Sequence, residues 1–274
     1  IGRGVFKSTN GGYTFDSLPA TIPTYTNSDT AAWAIVNRLA AHPVDANKIY
    51  AATNKGLKVT TDGGNTWDYA IWISPSIPVT GNFEDVKAGK DSSVLASRGG
   101  NAYFLDPDST NFQNITTKFP GISGASRLEF AISPSDPNFM YCCAISSTSG
   151  ELKNLYQSKD NGSTWNIIVP GGNSGVFNGQ GGYDNTIAVF PDDPEHLIVG
   201  GVELFGWSRK NNTWDLIALT QNFAFGKYVH ADKHTVVFHP NYNGTTIKTF
   251  YIGCDGGIFG SFDGGATYQE LNNG

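Results

Sequence analysis

The stretch Thr60-Thr61-Asp62-Gly63-Gly64-Asn65-Thr66-Trp67 recurs along the whole chain. It appears as Ser8-Thr9-Asn10-Gly11-Gly12-Tyr13-Thr14-Phe15, as Ser158-Lys159-Asp160-Asn161-Gly162-Ser163-Thr164-Trp165 and as Ser261-Phe262-Asp263-Gly264-Gly265-Ala266-Thr267-Tyr268. A shortened copy, Ser208-Arg209-Lys210-Asn211-Asn212-Thr213-Trp214, and a worn one near Asp106 to Phe112 complete the series. Successive starts are separated by roughly 45 to 53 residues, a period that signals stacked or radially arranged units.

Each copy reads hydroxyl, any residue, Asp or Asn, a Gly-rich pair, any residue, Thr, aromatic. A short Asp accepts hydrogen bonds from groups a few residues ahead and closes the turn from inside. The glycines supply the positive φ that such a turn needs, and the aromatic anchors the next strand. The acidic side chains Asp62, Asp160 and Asp263, with Asn10, are therefore read as structural, together with Trp67, Trp165 and Trp214.

Between the turns lies a second recurring pattern. Short apolar runs such as Asn37-Arg38-Leu39-Ala40-Ala41 and Arg127-Leu128-Glu129-Phe130-Ala131 meet a Pro/Asp turn and a second apolar run. This reads as two strands joined by a turn. A third strand enters the recurring turn and a fourth leaves it, which makes four strands in about 50 residues, the size of a propeller blade. The expected units run over 1–27, 28–80, 81–120, 121–175, 176–224 and 225–274. The segment from Ser28 to Leu39 is expected to form at most a short helical turn.

The pattern resembles the Asp-box, or BNR repeat, found in sialidases, xyloglucanase-type glycoside hydrolases, sortilin-like ectodomains and photosystem assembly propellers. The resemblance implies an all-β propeller of four-stranded blades, with the motif joining third and fourth strands at the outer rim. About five and a half blades are present. The first, at Gly4-Val5-Phe6-Lys7, begins on a third strand, so further chain segments are expected to complete the wheel.

Composition bounds the function. The chain has 274 residues, net charge -6, 13% aromatic and 15% charged residues. No basic field exists to compensate phosphate, which argues against nucleic acid. No run of eighteen apolar residues marks a membrane span. Cys142, Cys143 and Cys254 lack metal-ligand spacing and read as small buried apolar residues. No metal and no cofactor is expected. Low charge with abundant Asn, Thr and Ser suits a secreted or cell-surface bacterial protein.

Candidate chemistry gathers at Tyr228-Val229-His230-Ala231-Asp232-Lys233-His234. In an extended strand, alternation puts His230, Asp232 and His234 on one side. First strands line the channel of a propeller, so these residues, with Tyr183 of the preceding unit, are candidate binding groups at its mouth. Asp184 and Asp232 are the candidate catalytic carboxylates. The run His-Ala-Asp-x-His followed by Cys254-Asp255-Gly256-Gly257-Ile258-Phe259 resembles segments of large secreted bacterial BNR-repeat proteins. Aromatics near loops or strand ends, namely Trp33, Trp72, Tyr103, Tyr183, Trp207 and Phe223, offer further binding surface, and residues 169–182 read as a long loop. The leading expectation is a non-catalytic module binding protein or polysaccharide. The alternatives are a xyloglucanase-like glycoside hydrolase and a structural repeat of a large adhesin.

Overall fold

The computed structural model describes residues 2–23, 33–172, 175–221 and 226–272. Among them the chain is all-β, a β-propeller of five four-stranded antiparallel blades with almost no helix. It divides into two compact units, Ile1–Thr116 and Thr117–Gly274.

The first unit opens with β1 (Phe6–Lys7) paired to β2 (Asp16–Ser17). One blade follows, formed by β3 (Val36–Ala41), β4 (Ile49–Thr53), β5 (Gly56–Thr60) and β6 (Asp68–Tyr69). The helical turn expected over 28–39 falls partly outside the described residues, and Val36–Ala41 is strand instead. A hairpin of β7 (Trp72–Ser74) and β8 (Ile77–Pro78) leads to a second blade. That blade contains β9 (Asp85–Ala88), β10 (Val94–Arg98), β11 (Asn101–Leu105) and β12 (Gln113–Asn114). Tyr50, Leu57, Phe83, Val86 and Leu105 bury together between these two sheets.

The second unit holds three blades. The first consists of β13 (Ala125–Ile132), β14 (Met140–Ser146), β15 (Leu152–Ser158) and β16 (Asn166–Gly172). The next comprises β17 (Thr186–Val189), β18 (His196–Gly200), β19 (Leu204–Ser208) and β20 (Thr213–Ala218). The last is β21 (Lys233–Phe238), β22 (Phe250–Cys254), β23 (Gly257–Ser261) and β24 (Gln269–Glu270). Each sheet runs in sequence order, and first strands of successive blades neighbour one another, β13 beside β17 and β17 beside β21. The long loop expected over 169–182 is shorter than anticipated, because β16 extends through Gly172 before it; residues 173 and 174 lie outside the described residues.

Hydrogen bonds explain why the recurring turn forms. Asp62 Oδ1 accepts from the Thr66 amide at 2.9 Å and the Thr60 hydroxyl at 2.8 Å, while Oδ2 accepts from the Thr66 hydroxyl at 2.6 Å. The Thr60 hydroxyl in turn accepts from the Gly64 amide at 3.0 Å. Asp160 and Asp263 repeat the whole set. Asn10 keeps the geometry but donates through its amide nitrogen to the Thr14 hydroxyl. Gly63 and Gly64, at φ 71° and 99°, adopt the left-handed backbone that brings these groups within reach of one side chain. Hydrogen bonds led by the Thr66 hydroxyl pull the Asp62 carboxyl down to about 2. At Asp160 and Asp263 burial pushes the other way, yet the combined hydrogen bonds still hold both carboxyls below their ordinary range.

The aromatics after the turns differ in how far they bury. Trp165 is 3% exposed and stacks on Phe119 with ring centroids 4.4 Å apart, whereas Phe15 is 60% exposed. Trp67 meets Trp33 edge-on, and Trp214 meets Phe205. Trp33, Tyr103 and Trp207 prove to be core residues, so they offer no binding surface, while Trp72 and Tyr183 are exposed and Phe223 lies outside the described residues. Cys142 and Cys143 are buried in β14, and Cys254 is only half-buried at the end of β22; none of the three is in a disulfide.

Candidate functional site

The site lies in the second unit, where the approaches to β17 and β21 come together beside β13. Arg127 sits in β13 directly after a register shift that breaks the pairing between Ala125 and Arg127. A bulge of this kind re-aims the following side chain. The Arg127 guanidinium donates to the carbonyls of Gly182 at 3.2 Å, Tyr183 at 2.7 Å and Asn185 at 3.2 Å, and to Glu129 Oε2 at 3.2 Å. A rigid planar fork with five N–H donors suits such a cluster of acceptors, and a flexible lysine does not. Arg127 thereby fixes the segment that presents Tyr183 and Asp184.

The opposite wall is the approach to β21. Asp232 has φ 61°, a left-handed conformation that Asp tolerates better than most residues. Its carbonyl accepts from the Asp255 amide at 3.3 Å. The strand begins only at Lys233, and the register shifts again between Lys233 and Thr235. The expected alternation of His230, Asp232 and His234 on one strand face is thus corrected: a left-handed residue and a bulge interrupt it, and the three side chains take separate positions.

Asp232 meets Asp184. Asp184 is fully buried, and neither of its carboxylate oxygens has a hydrogen-bond partner among the described residues; Asp232 Oδ1 is buried and unpartnered as well. Burial first, and then the neighbouring Asp232 carboxyl within hydrogen-bonding reach, push Asp184 up to about 8. Two carboxylates in contact do not both ionise freely, and a proton held between them supplies the missing donor.

The exposed part of the site is a polar network with an aromatic face. The Tyr183 hydroxyl donates to Asp255, 3.1 and 3.0 Å from its two oxygens, and His234 Nε2 lies 2.7 Å from Asp255 Oδ1. The rings of Tyr183 and His234 meet edge-on with centroids 5.0 Å apart. The His234 contact, with Tyr183 assisting, holds the Asp255 carboxyl below its ordinary range, and the same Asp255 contact raises the Tyr183 phenol. His230 packs its ring over Gly256, where an added Cβ would fall 2.4 Å from the imidazole. Tyr183 remains 56% exposed and offers most of its ring to solvent.

Lys233 completes the inner wall. It is fully buried, its ammonium donates to the Val202 carbonyl, and burial lowers it to about 8. Neither Lys233 nor Arg127 has a hydrogen bond to Asp184 or Asp232. Among the described residues, no three His, Cys, Asp or Glu side chains gather as a metal-holding group.

The structure thus gathers Tyr183 and His234 at one network and Asp184 and Asp232 at one contact, with His230 beside them. Sequence reasoning missed Asp255 as a site residue, although antiparallel pairing of Lys233 with Cys254 places it next to Asp232. It also missed the organising role of Arg127 and the burial of Lys233, which no local pattern signals. Asn10, Asp62, Asp160 and Asp263, with the aromatics Trp67, Trp165 and Trp214, lie at the recurring turns.

No protein-family model and no curated protein matches the chain. Solved structures do resemble it. The GH74 enzyme of Niastella koreensis aligns over 86% of this chain and 31% of its own, at 18% identity and a TM-score of 0.55. The GH74 xyloglucanase of Xanthomonas campestris aligns over 99% of this chain and 49% of its own, at 13% identity and a TM-score of 0.56. The chain therefore spans less than half the length of either enzyme. YCF48 bound to D1 peptide aligns over 99% of this chain and 77% of its own, at 17% identity and a TM-score of 0.58. At these identities the likeness establishes the β-propeller fold, a scaffold that hosts unrelated functions.

Proposed function

We propose that the chain is a non-catalytic, secreted or cell-surface Asp-box propeller module that binds protein or polysaccharide at the face formed by Tyr183, His234 and Asp255, with Asp232 and His230 at its margin. The observation that carries this reading is the contact between the two candidate catalytic carboxyls. A glycosidase holds its acid and its nucleophile or base apart, about 5–5.5 Å or 6.5–9.5 Å, on two sides of the scissile bond. Asp184 and Asp232 instead stand within hydrogen-bonding reach of each other, with Asp184 sealed from solvent. What the surface presents is a half-exposed phenol ring beside a carboxylate and an imidazole held in fixed geometry. Such a face stacks on a sugar ring or a partner side chain while the carboxylate accepts hydrogen bonds.

A second reading, a glycoside hydrolase acting on polysaccharide in the manner of xyloglucanases, is favoured by the Asp184 carboxyl at about 8, a proton donor at neutral pH. One experiment separates the two. The protein is screened against immobilised polysaccharides and peptide libraries, and the same polysaccharides are assayed for released reducing ends. Binding without release, weakened roughly tenfold or more by Tyr183→Ala, supports the module. Release of reducing ends overturns it in favour of the hydrolase, and neither binding nor release leaves the structural repeat of a larger adhesin.

A further inference from the structure

The Tyr183–Asp255–His234 face is assembled from two halves. One is the approach to β17, which carries Tyr183 and Asp184 and is pinned by Arg127 through the carbonyls of Gly182, Tyr183 and Asn185. The other is the approach to β21, which carries Asp232 and His234 and holds Asp255 through the Asp232 carbonyl. Among the described residues, no backbone hydrogen bond joins 182–185 to 230–234 or to 255. Side chains join the halves instead. On the outside the Tyr183 hydroxyl reaches Asp255, both residues being exposed to water. On the inside the carboxyls of Asp184 and Asp232 meet.

The inner contact depends on a proton. Both oxygens of Asp184 and Oδ1 of Asp232 are buried with no donor among the described residues. Buried polar groups almost always have partners, and a carboxylate only accepts, so a protonated carboxyl is the donor this contact needs. With the proton in place, the pair is a hydrogen bond between two blades. Without it, two like charges face each other away from solvent, and each disfavours the other. Asp232 enters the contact from a left-handed backbone, which Asp adopts at less cost than most residues.

The surrounding charges do not replace that proton. Arg127, in β13, acts on Asp184 and favours its ionised form, but it is outweighed by burial and by Asp232. Its hydrogen bonds go to three carbonyls and Glu129, and its buried Nε–H is unpartnered. Cys143 of β14 lies against Glu129 and Arg127, and burial raises its thiol. Between β18 and β19, Glu203 is committed to Thr220 and acts on Lys233. On the β21 side, Lys233 donates to the Val202 carbonyl, and His230 and His234 act on Asp255. At the end of β22, burial raises the Cys254 thiol. The sign follows. A carboxyl raised in the folded protein, here to about 8, contributes most below the ordinary value of 3.8, and that contribution is lost as pH rises from there to about 8. Lys233, lowered to about 8, acts in the opposite sense and only between about 8 and its ordinary 10.5.

We propose that a proton shared by Asp184 and Asp232 is a pH-sensitive latch that holds the two halves of the Tyr183–Asp255–His234 face together, and that its loss at rising pH frees Tyr183 from Asp255 and His234. The proton leaves to solvent, and no other bond changes. The inference does not depend on what the face binds, and its test uses no ligand.

The test follows two observables of the whole protein across pH 5 to 9. The first is the carboxyl carbon resonance of Asp184, which is expected to titrate near pH 8, far above that of Asp16, an exposed carboxylate of β2. The second is the exchange protection of the Asp184 and Asp255 amides, corrected for the intrinsic effect of pH. These amides donate to Gln180 and Asp232. Their protection is expected to fall at least about tenfold between pH 5 and 8 and to level beyond it, since each pH unit of linkage is worth up to about tenfold. Asp184→Asn and Asp232→Asn keep a neutral donor in the contact and are expected to stay flat. Both retain His230 and His234, so any slope left in them measures the histidines. Should Asp184→Asn fail to fold, Asp232→Asn decides, because Asn takes the left-handed backbone as readily as Asp. The proposal is overturned if Asp184 titrates alongside Asp16, if protection in the unaltered protein does not change with pH, or if the carboxamide variants lose protection as the unaltered protein does.

Discussion

Asp85 and Asp184 stand in similar places, each fully buried near the start of a first strand, and each faces an arginine-bearing strand of the blade before it. Their surroundings are opposite. In the first unit the Asp85 carboxylate receives Lys87 in a direct ion pair and has Arg38 Nε at 3.9 Å. In the second unit the corresponding arginine, Arg127, grips backbone carbonyls and Glu129, and Asp184 is left facing Asp232. Both arginines follow a register shift in their strands, at Val36/Arg38 and at Ala125/Arg127. The same local device serves two ends: at Asp85 it lies beside a carboxylate already paired with Lys87, and at Asp184 it shapes the chain around a carboxyl that burial and Asp232 hold protonated. A neutralised carboxylate reads as a structural joint, whereas a buried carboxyl raised by another carboxyl is a candidate site.

Substitutions test that contrast, the largest effect coming from Asp85. Asp85→Ala leaves Arg38 and Lys87 gathered without their carboxylate and is expected to cost about 2–3 kcal/mol in chemical denaturation, less than a fully enclosed pair because both cations are partly exposed. A neutral result would show that Asp85 is not a joint. Arg127→Gln removes the fork from three carbonyls and Glu129 and is expected to cost about 2 kcal/mol, with faster amide exchange across residues 182–185. Asp184→Asn should behave in the opposite way to Asp85→Ala. It replaces one of two facing carboxyls by a neutral donor and is expected to leave stability unchanged or raise it by about 1 kcal/mol. A loss as large as that at Asp85 would erase the distinction. Tyr183→Phe, which removes only the bond to a solvent-facing Asp255, is expected to change stability least of the four in the same denaturation experiment.

A third kind of carboxylate, in the recurring turn, gives the mildest response. The Asp62 carboxyl is held at about 2, below its ordinary 3.8, chiefly by the Thr66 hydroxyl. A depressed carboxyl contributes stability that is present above the ordinary value and is lost as pH falls through the folded one. Protection of the Thr66 amide is therefore expected to be constant above pH 4 and to fall between about 4 and 2, and Asp62→Asn should remove most of that dependence. Protection unchanged down to pH 2 in the unaltered protein would show that the side chain does not hold the turn.

The propeller was legible in the sequence because its information is local and repeated. Asp62, Asp160 and Asp263 each close their turn with groups no more than four residues away, so spacing alone dictates the hydrogen bonds. Strand runs between turns follow from the apolar pattern, and each sheet pairs in chain order. The site was legible only in part. Tyr183, Asp184, His230, Asp232 and His234 stood out by residue type, but strand alternation misplaced the last three. A left-handed Asp232 and a bulge beside His234 break the period of two on which that inference rests.

The residues alone determined the all-β repeat, its four-stranded unit and the turns that close it, because these depend on neighbours along the chain. The tertiary structure decided which charges meet. Arg127 reaches segments some 55 to 58 residues away, Tyr183 finds Asp255 at a separation of 72, and Asp184 faces Asp232 across two blades. Such contacts carry no periodic signature, since they arise where independent first strands are packed side by side. Two arginines in equivalent strands therefore look alike in sequence and act differently in space.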